Sequence, residues 1–123
     1  MLIRPLQLRV IEEALWRDLV FDLLRILRAE LPGHVAAVGD DAAGTIIAAA
    51  IDRARALGFT TRPGASMFVR FTFLFGEHFE AKRDWARQAI ARAKSEDELA
   101  RCTRLADAAL DHLAAVPDWR NRE

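Results

Sequence analysis

The sequence predicts an all-α fold, a single compact bundle of about five helices, and three observations carry that expectation. Apolar residues recur at three- and four-residue spacings through most of the chain, with Pro, Gly and capping residues between the runs. The one segment that alternates like a strand, Met67 to Phe75, has no second stretch to pair with. The 123 residues are 52% apolar and 29% charged, the balance of a globular core and not of a disordered chain. A chain of this length buries roughly two-thirds of its unfolded surface, so one domain over residues 1–123 needs neither disulfide nor metal.

The first helix is expected from Pro5, which a first helical turn tolerates, to Glu30. Leu8, Ile11, Leu15, Leu19, Leu23 and Ile26 form its apolar stripe, and Trp16, Val20, Leu24 and Leu27 widen that stripe enough to meet more than one neighbour. Arg9 with Glu13 and Glu13 with Arg17 stand four residues apart as solvated surface pairs, worth about 0.2–0.5 kcal/mol each. Pro32-Gly33 is expected to stop this helix. Gly39-Asp40-Asp41 supplies a turn and an N-cap oxygen for a second helix that ends near Gly58. Ile46, Ile47, Ile51, Ala54 and Leu57 mark its apolar side, and Ala48, Ala49 and Ala50 let another backbone approach closely.

Met67, Val69, Phe71, Phe73 and Phe75 alternate, yet Phe68, Phe71, Phe75 and Phe79 also follow helical spacing. A lone strand leaves buried backbone groups unpaired at about 1–3 kcal/mol each. A central helix from about Pro63 to Phe75 is therefore expected. Within it, Arg70 either points out at an edge or pairs with Glu77. Residues Glu77 to Asp84 read as a charged turn, Trp85, Ala89, Ile90 and Ala93 as a fourth helix, and Ser95 as the start of a fifth. Ser95 with Glu98 has capping-box spacing. Leu99, Cys102, Ala106, Ala109 and Leu113 supply the expected buried stripe, Pro117 ends the helix, and residues 118–123 read as a frayed tail.

Eighteen basic and eighteen acidic residues cancel, so no global field draws the protein to nucleic acid or to anionic lipid. The first ten residues lack a continuous apolar run, and the most apolar window, Ala42 to Ile51, is about half a bilayer span. These features predict a cytoplasmic protein without a membrane partner. Cys102 reads as a small buried thiol. His34, His78 and His112 are scattered, and His78 with Glu77, Glu80 and Asp84 reads as a solvated turn. Asp40 and Asp41 have a sufficient role at a helix start. With no metal-ligand spacing, phosphate loop or nucleophile motif, the expectation is a non-enzyme without cofactor.

Between Lys82 and Arg104 seven basic residues, Lys82, Arg83, Arg87, Arg92, Lys94, Arg101 and Arg104, stand against four acidic ones. This local excess suits an acidic partner surface or an ordinary solvated helix. Phe75, Phe79 and Trp85 cluster around Gly76, where core packing and an exposed anchor are the two readings. Phe75, Phe79, Arg83, Trp85 and Arg87 are thus the candidate partner-binding residues.

Ile3-Arg4-Pro5-Leu6-Gln7, Leu27-Arg28 with Leu31-Pro32, Arg53-Ala54-Arg55-Ala56-Leu57-Gly58, Phe73-Leu74-Phe75-Gly76-Glu77-His78-Phe79 and Asp84-Trp85-Ala86 follow one another in the chain. In that order they resemble the small helical proteins encoded beside effectors and spike proteins of bacterial type VI secretion systems, over about residues 2–90. The sequence departs from that pattern at Ala81-Lys82-Arg83-Asp84, where the family commonly has an acidic, proline-containing approach to the tryptophan. The resemblance implies a co-adaptor or chaperone-like accessory that binds an adaptor, effector or spike protein and helps effector loading. An immunity protein that neutralises a neighbouring toxin is the alternative. The resemblance transfers no catalytic residue.

Overall fold

The computed structural model describes the backbone of residues 5–115 and the side chains of residues 11–115. Among these residues there are seven helices and no strand: α1 (Pro5–Glu30), α2 (Pro32–Val38), α3 (Asp40–Ala56), α4 (Arg62–Phe75), α5 (Phe79–Lys82), α6 (Asp84–Arg92) and α7 (Glu98–Ala115). The all-α class holds, and the count of about five does not. The two additional helices, α2 and α5, are short and occupy stretches expected to be a break and a turn. The expected tail at 118–123 lies outside the described residues.

Pro32 begins a helix where it was expected to end one. Its missing N–H costs nothing in a first turn, so α2 opens at Pro32 directly after the Leu31 that closes α1, and Val35 anchors it in the core. Gly39, at φ +86°, then reverses the chain into α3. The N-cap position belongs to Gly39, with no side-chain cap, so Asp40 and Asp41 do not cap. Asp40 instead accepts the Arg28 guanidinium, with Nε at 3.2 Å from Oδ1, and ties the end of α1 to the start of α3. Both aspartates still lie in the first turn, where the helix dipole favours a negative charge.

The Met67–Phe75 segment is helical. Thr61 caps it by accepting the Gly64 N–H at 3.2 Å, and Ala65, Phe68, Val69 and Thr72 form a face that is at most 2% exposed. Among the described residues the one buried polar side chain, Thr72, donates to the Phe68 carbonyl at 2.9 Å, so burial leaves it satisfied. Arg70 does point to an edge. Its partner is Glu30 of α1, with Nε at 3.1 Å from Oε1, and not Glu77.

Ion pairs fix the helix directions. Arg62 meets Asp22 and Arg70 meets Glu30, so α1 and α4 run the same way, whereas Glu13–Arg55 and Arg28–Asp40 set α3 against α1. Glu98 lies against Gly64 and His112 against Phe75, so α7 runs with α4, and α6 returns against α7 with Trp85 stacked on His112. The core lies where these helices meet: Leu19, Leu23 and Leu27 from α1, Ile47 and Ile51 from α3, Phe68 and Val69 from α4, and Leu105 from α7. Of the three alanines expected to let another backbone approach, Ala50 is fully buried, Ala49 half-buried and Ala48 exposed, while Ala43 and Ala54 of α3 are fully buried beside them. Beyond Leu19 the α1 stripe outruns its neighbours, leaving Leu15 61% and Ile11 47% exposed. Leu8 and Arg9 lie outside the described side chains.

The capping box expected at Ser95 is absent. Asp97 caps α7 by accepting the Ala100 N–H at 2.8 Å, which frees Glu98 to reach the loop before α4. There its carboxylate accepts the Thr60 N–H at 2.8 Å, the Thr61 N–H at 3.0 Å and both threonine hydroxyls. One turn on, Arg101 donates to the Leu57 carbonyl and lays its guanidinium over the Phe59 ring, 4.6 Å from the centroid. With these charged residues turned inward, the expected stripe is buried only in part. Leu105 and Ala109 are buried, Cys102, Ala106 and Leu113 are half-buried, and Leu99 is exposed. Cys102 is thus not a fully buried thiol.

Candidate functional site

The five candidate residues converge on the turn between α4 and α6, but they do not share one surface. Gly76, at φ +102°, ends α4, and His78 adopts a left-handed conformation that directs the next residue back into the molecule. That residue is Phe79, 1% exposed, with its ring 4.9 Å from Phe68, 5.9 Å from Phe71 and 6.3 Å from Trp85. Its burial makes α5 a helix where sequence suggests a turn, and leaves Phe79 nothing to offer a partner. Phe75 and Trp85 are half-buried and meet edge to face at 4.8 Å, the geometry that ring quadrupoles favour. His112 stacks on Trp85 at 5.5 Å and meets Phe75 edge to face at 6.2 Å.

The two arginines have internal work. Arg83 donates through Nε and Nη2 to the Phe75 carbonyl, at 3.3 and 3.1 Å, and so satisfies an end of α4. Arg87 pairs with Asp84 and donates to the Ala81 carbonyl at 3.2 Å. Both remain exposed, as does Lys82 next to Arg83. Within the basic stretch, Arg101 and Arg104 are likewise engaged, by Leu57 and Glu96. Much of the local charge excess therefore holds the fold together.

Glu80 departs from the solvated turn expected around His78. It pairs with Arg53 of α3, Nε to Oε2 at 3.1 Å, with side chains only 11% and 19% exposed, and anchors α5 from its polar side. Glu80 Oε1 and Arg53 Nη2 have no hydrogen-bond partner among the described residues, and neither has Trp85 Nε1. Above the pair runs a largely apolar groove of about 500 Å³ lined by Ala56, Leu57, Ile90 and the Arg87 stem. A second hollow, about 450 Å³, lies between α6 and α7 beside Trp85 and His112.

Two groups show what the surroundings do to protonation. Burial raises the Cys102 thiol above its usual 9.0, the Glu98 charge raises it further and Arg101 opposes both, so the reactive thiolate is suppressed. Burial acts to raise Glu98 as well, but the hydrogen bonds from Thr61 and Thr60 outweigh it and hold the carboxyl below 4.5. Among the described residues no group of three or more His, Cys, Asp or Glu side chains is placed to hold a metal ion.

No known family model matches the chain, and neither a curated protein nor a solved structure is significantly similar to it. Among the described residues no single helix is long and apolar enough to cross a membrane; α2 and α3 reach that hydropathy only as a pair bent by 106°. Sequence reasoning placed the aromatic cluster correctly around Gly76. It missed Glu98, Arg101 and the Arg53–Glu80 pair, because their partners lie 27 to 44 residues away and no spacing rule reports such contacts.

Proposed function

We propose that this protein is a non-enzymatic, cytoplasmic, protein-binding accessory of a bacterial type VI secretion effector module, co-adaptor or chaperone-like, that helps an effector load. The observation that carries this reading is the stretch Phe73–Trp85, which holds the best single mark of the resemblance, Phe75-Gly76-Glu77-His78-Phe79, although the pattern departs at Ala81–Asp84. It folds into a rigid aromatic ledge with Lys82, Arg83 and Arg87 exposed along it. Half-buried Phe75 and Trp85, fixed by their neighbours, present apolar area to a partner at little entropic cost, and the three cations suit an acidic surface.

The test is tagged purification from the native host with identification of bound proteins, alongside deletion and assay of effector delivery. An adaptor, effector or spike protein is expected to co-purify, and Lys82→Glu with Arg87→Glu is expected to weaken that association about tenfold. A partner encoded outside any secretion locus overturns the reading. Rescue of toxin-expressing cells in the cytoplasm, with no secretion apparatus present, replaces it with the immunity role.

A further inference from the structure

We propose that the outer face of α7 docks a basic amphipathic helix of a partner protein. The inference rests on the protein-binding reading above and names a partner chemistry, at a surface apart from the aromatic ledge. Leu99 and Leu110 are 79% and 65% exposed, among the most exposed large apolar side chains described. They stand eleven residues apart, about three helical turns, and so lie in line along the helix. Thr103 and Ala106 fall between them, giving the four-three-four spacing of a two-helix seam.

Among the described residues the fold leaves Leu99, Thr103 and Leu110 of this seam exposed and covers Ala106 only in part. Glu98, Arg101, Leu105 and His112 turn toward α4 and its flanking loop, and Trp85 of α6 closes the neighbouring side. Small Thr103 and Ala106 let another helix backbone come close, and the two leucines mark the ends of the contact. Beside Leu99 and Thr103 a shallow hollow of about 520 Å³, bordered by Asp97 and Asp107, has room for an apolar side chain from the visitor.

Charge selects the visitor. Glu96, Asp97 and Asp107 line the hollow at the seam together with Arg104, which Glu96 already binds at 2.9 Å, and Asp111 follows one turn on beside Arg92. A second copy of α7 would bring this acidic border against itself, and an acidic helix would be repelled in the same way. A helix with lysines or arginines flanking an apolar seam matches both the leucines and the carboxylates.

The test uses the full chain and two labelled synthetic helices with leucines at four-three-four spacing, one flanked by lysines and one by glutamates, read by fluorescence anisotropy. The lysine helix is expected to bind about tenfold tighter or more, with the preference reversed by Asp107→Lys with Asp111→Lys. Leu99→Glu with Leu110→Glu is expected to abolish binding; because it adds negative charge, attraction by charge alone would strengthen instead. The milder Leu99→Ala with Leu110→Ala should weaken binding too, with circular dichroism confirming an unchanged fold. Equal binding of the two helices, or binding that survives both leucine variants, overturns the proposal. So does self-association that Leu110→Glu abolishes, or tighter peptide binding by a chain shortened to residue 115, which would make the chain itself the occupant. Failure here removes the α7 face alone, since co-purification from the host reads the whole protein.

Discussion

Glu98 and Arg101 sit one turn apart on α7 and grip the same loop with opposite charges. Glu98 takes the N–H groups of Thr60 and Thr61 that precede α4, and Arg101 takes the Leu57 carbonyl that follows α3. The contact dictates two glycines. A Cβ on Gly58 would meet Arg101 Nη1 at 2.5 Å, in a backbone at φ +91°, and one on Gly64 would run into the Glu98 carboxylate. Gly58→Ala is therefore expected to cost about 1–3 kcal/mol in chemical denaturation. Because folding depresses the Glu98 pKa below 4.5, its contribution is present above that value and is lost as pH falls through the folded-state value. In melts across pH, wild type is expected to exceed Glu98→Ala by about 0.5–2 kcal/mol near neutrality, and the two curves should converge in acid. A constant gap down to low pH would show that the carboxylate charge does not matter.

At the scale of elements, each helix end is decided by a few atoms. Gly44 lies in the second turn of α3, and a Cβ added there would meet no heavy atom within 4 Å, so Gly44→Ala should stabilise the protein by about 0.5–1 kcal/mol, in contrast to Gly58→Ala. The α1 helix was legible from Pro5 to Glu30 because its stripe is long and unbroken. That stripe did not reveal where its cover ends, and Leu15 and Leu23, which share it, have opposite environments at 61% and 0% exposure. Leu23→Ala is expected to cost about 2–5 kcal/mol and Leu15→Ala less than about 0.5, measured by urea denaturation. The same reasoning explains α7, where the expected stripe through Leu99 is apolar but buried only in part, because charged residues that find partners are turned inward.

Across the whole molecule, α5 is held by one aromatic and one ion pair. Phe79 closes the ring cluster from below, and Glu80 binds Arg53 with atoms left unpaired on both sides. Removing one partner leaves a buried charge without its counterion, whereas removing both relieves the unpaired atoms as well. Glu80→Gln is expected to destabilise by about 3 kcal/mol, and Arg53→Met with Glu80→Met to recover most of that loss. A double variant as unstable as the single one would show that α5 needs the ion pair for more than charge balance.

Periodicity determined the class and the long helices, and the lack of a second strand determined the helical state of Met67–Phe75, since it leaves only one way to pair those backbone groups. It also placed Phe75, Phe79 and Trp85 together around Gly76. Tertiary structure decided which of them enters the core, whether Pro32 stops or starts a helix, and how much of the α7 stripe is buried. Those outcomes turn on contacts between residues far apart in sequence, such as Glu98 with Thr60 and Arg53 with Glu80. Hydrophobic spacing reports that a face seeks cover; only the packed neighbours determine whether it receives any.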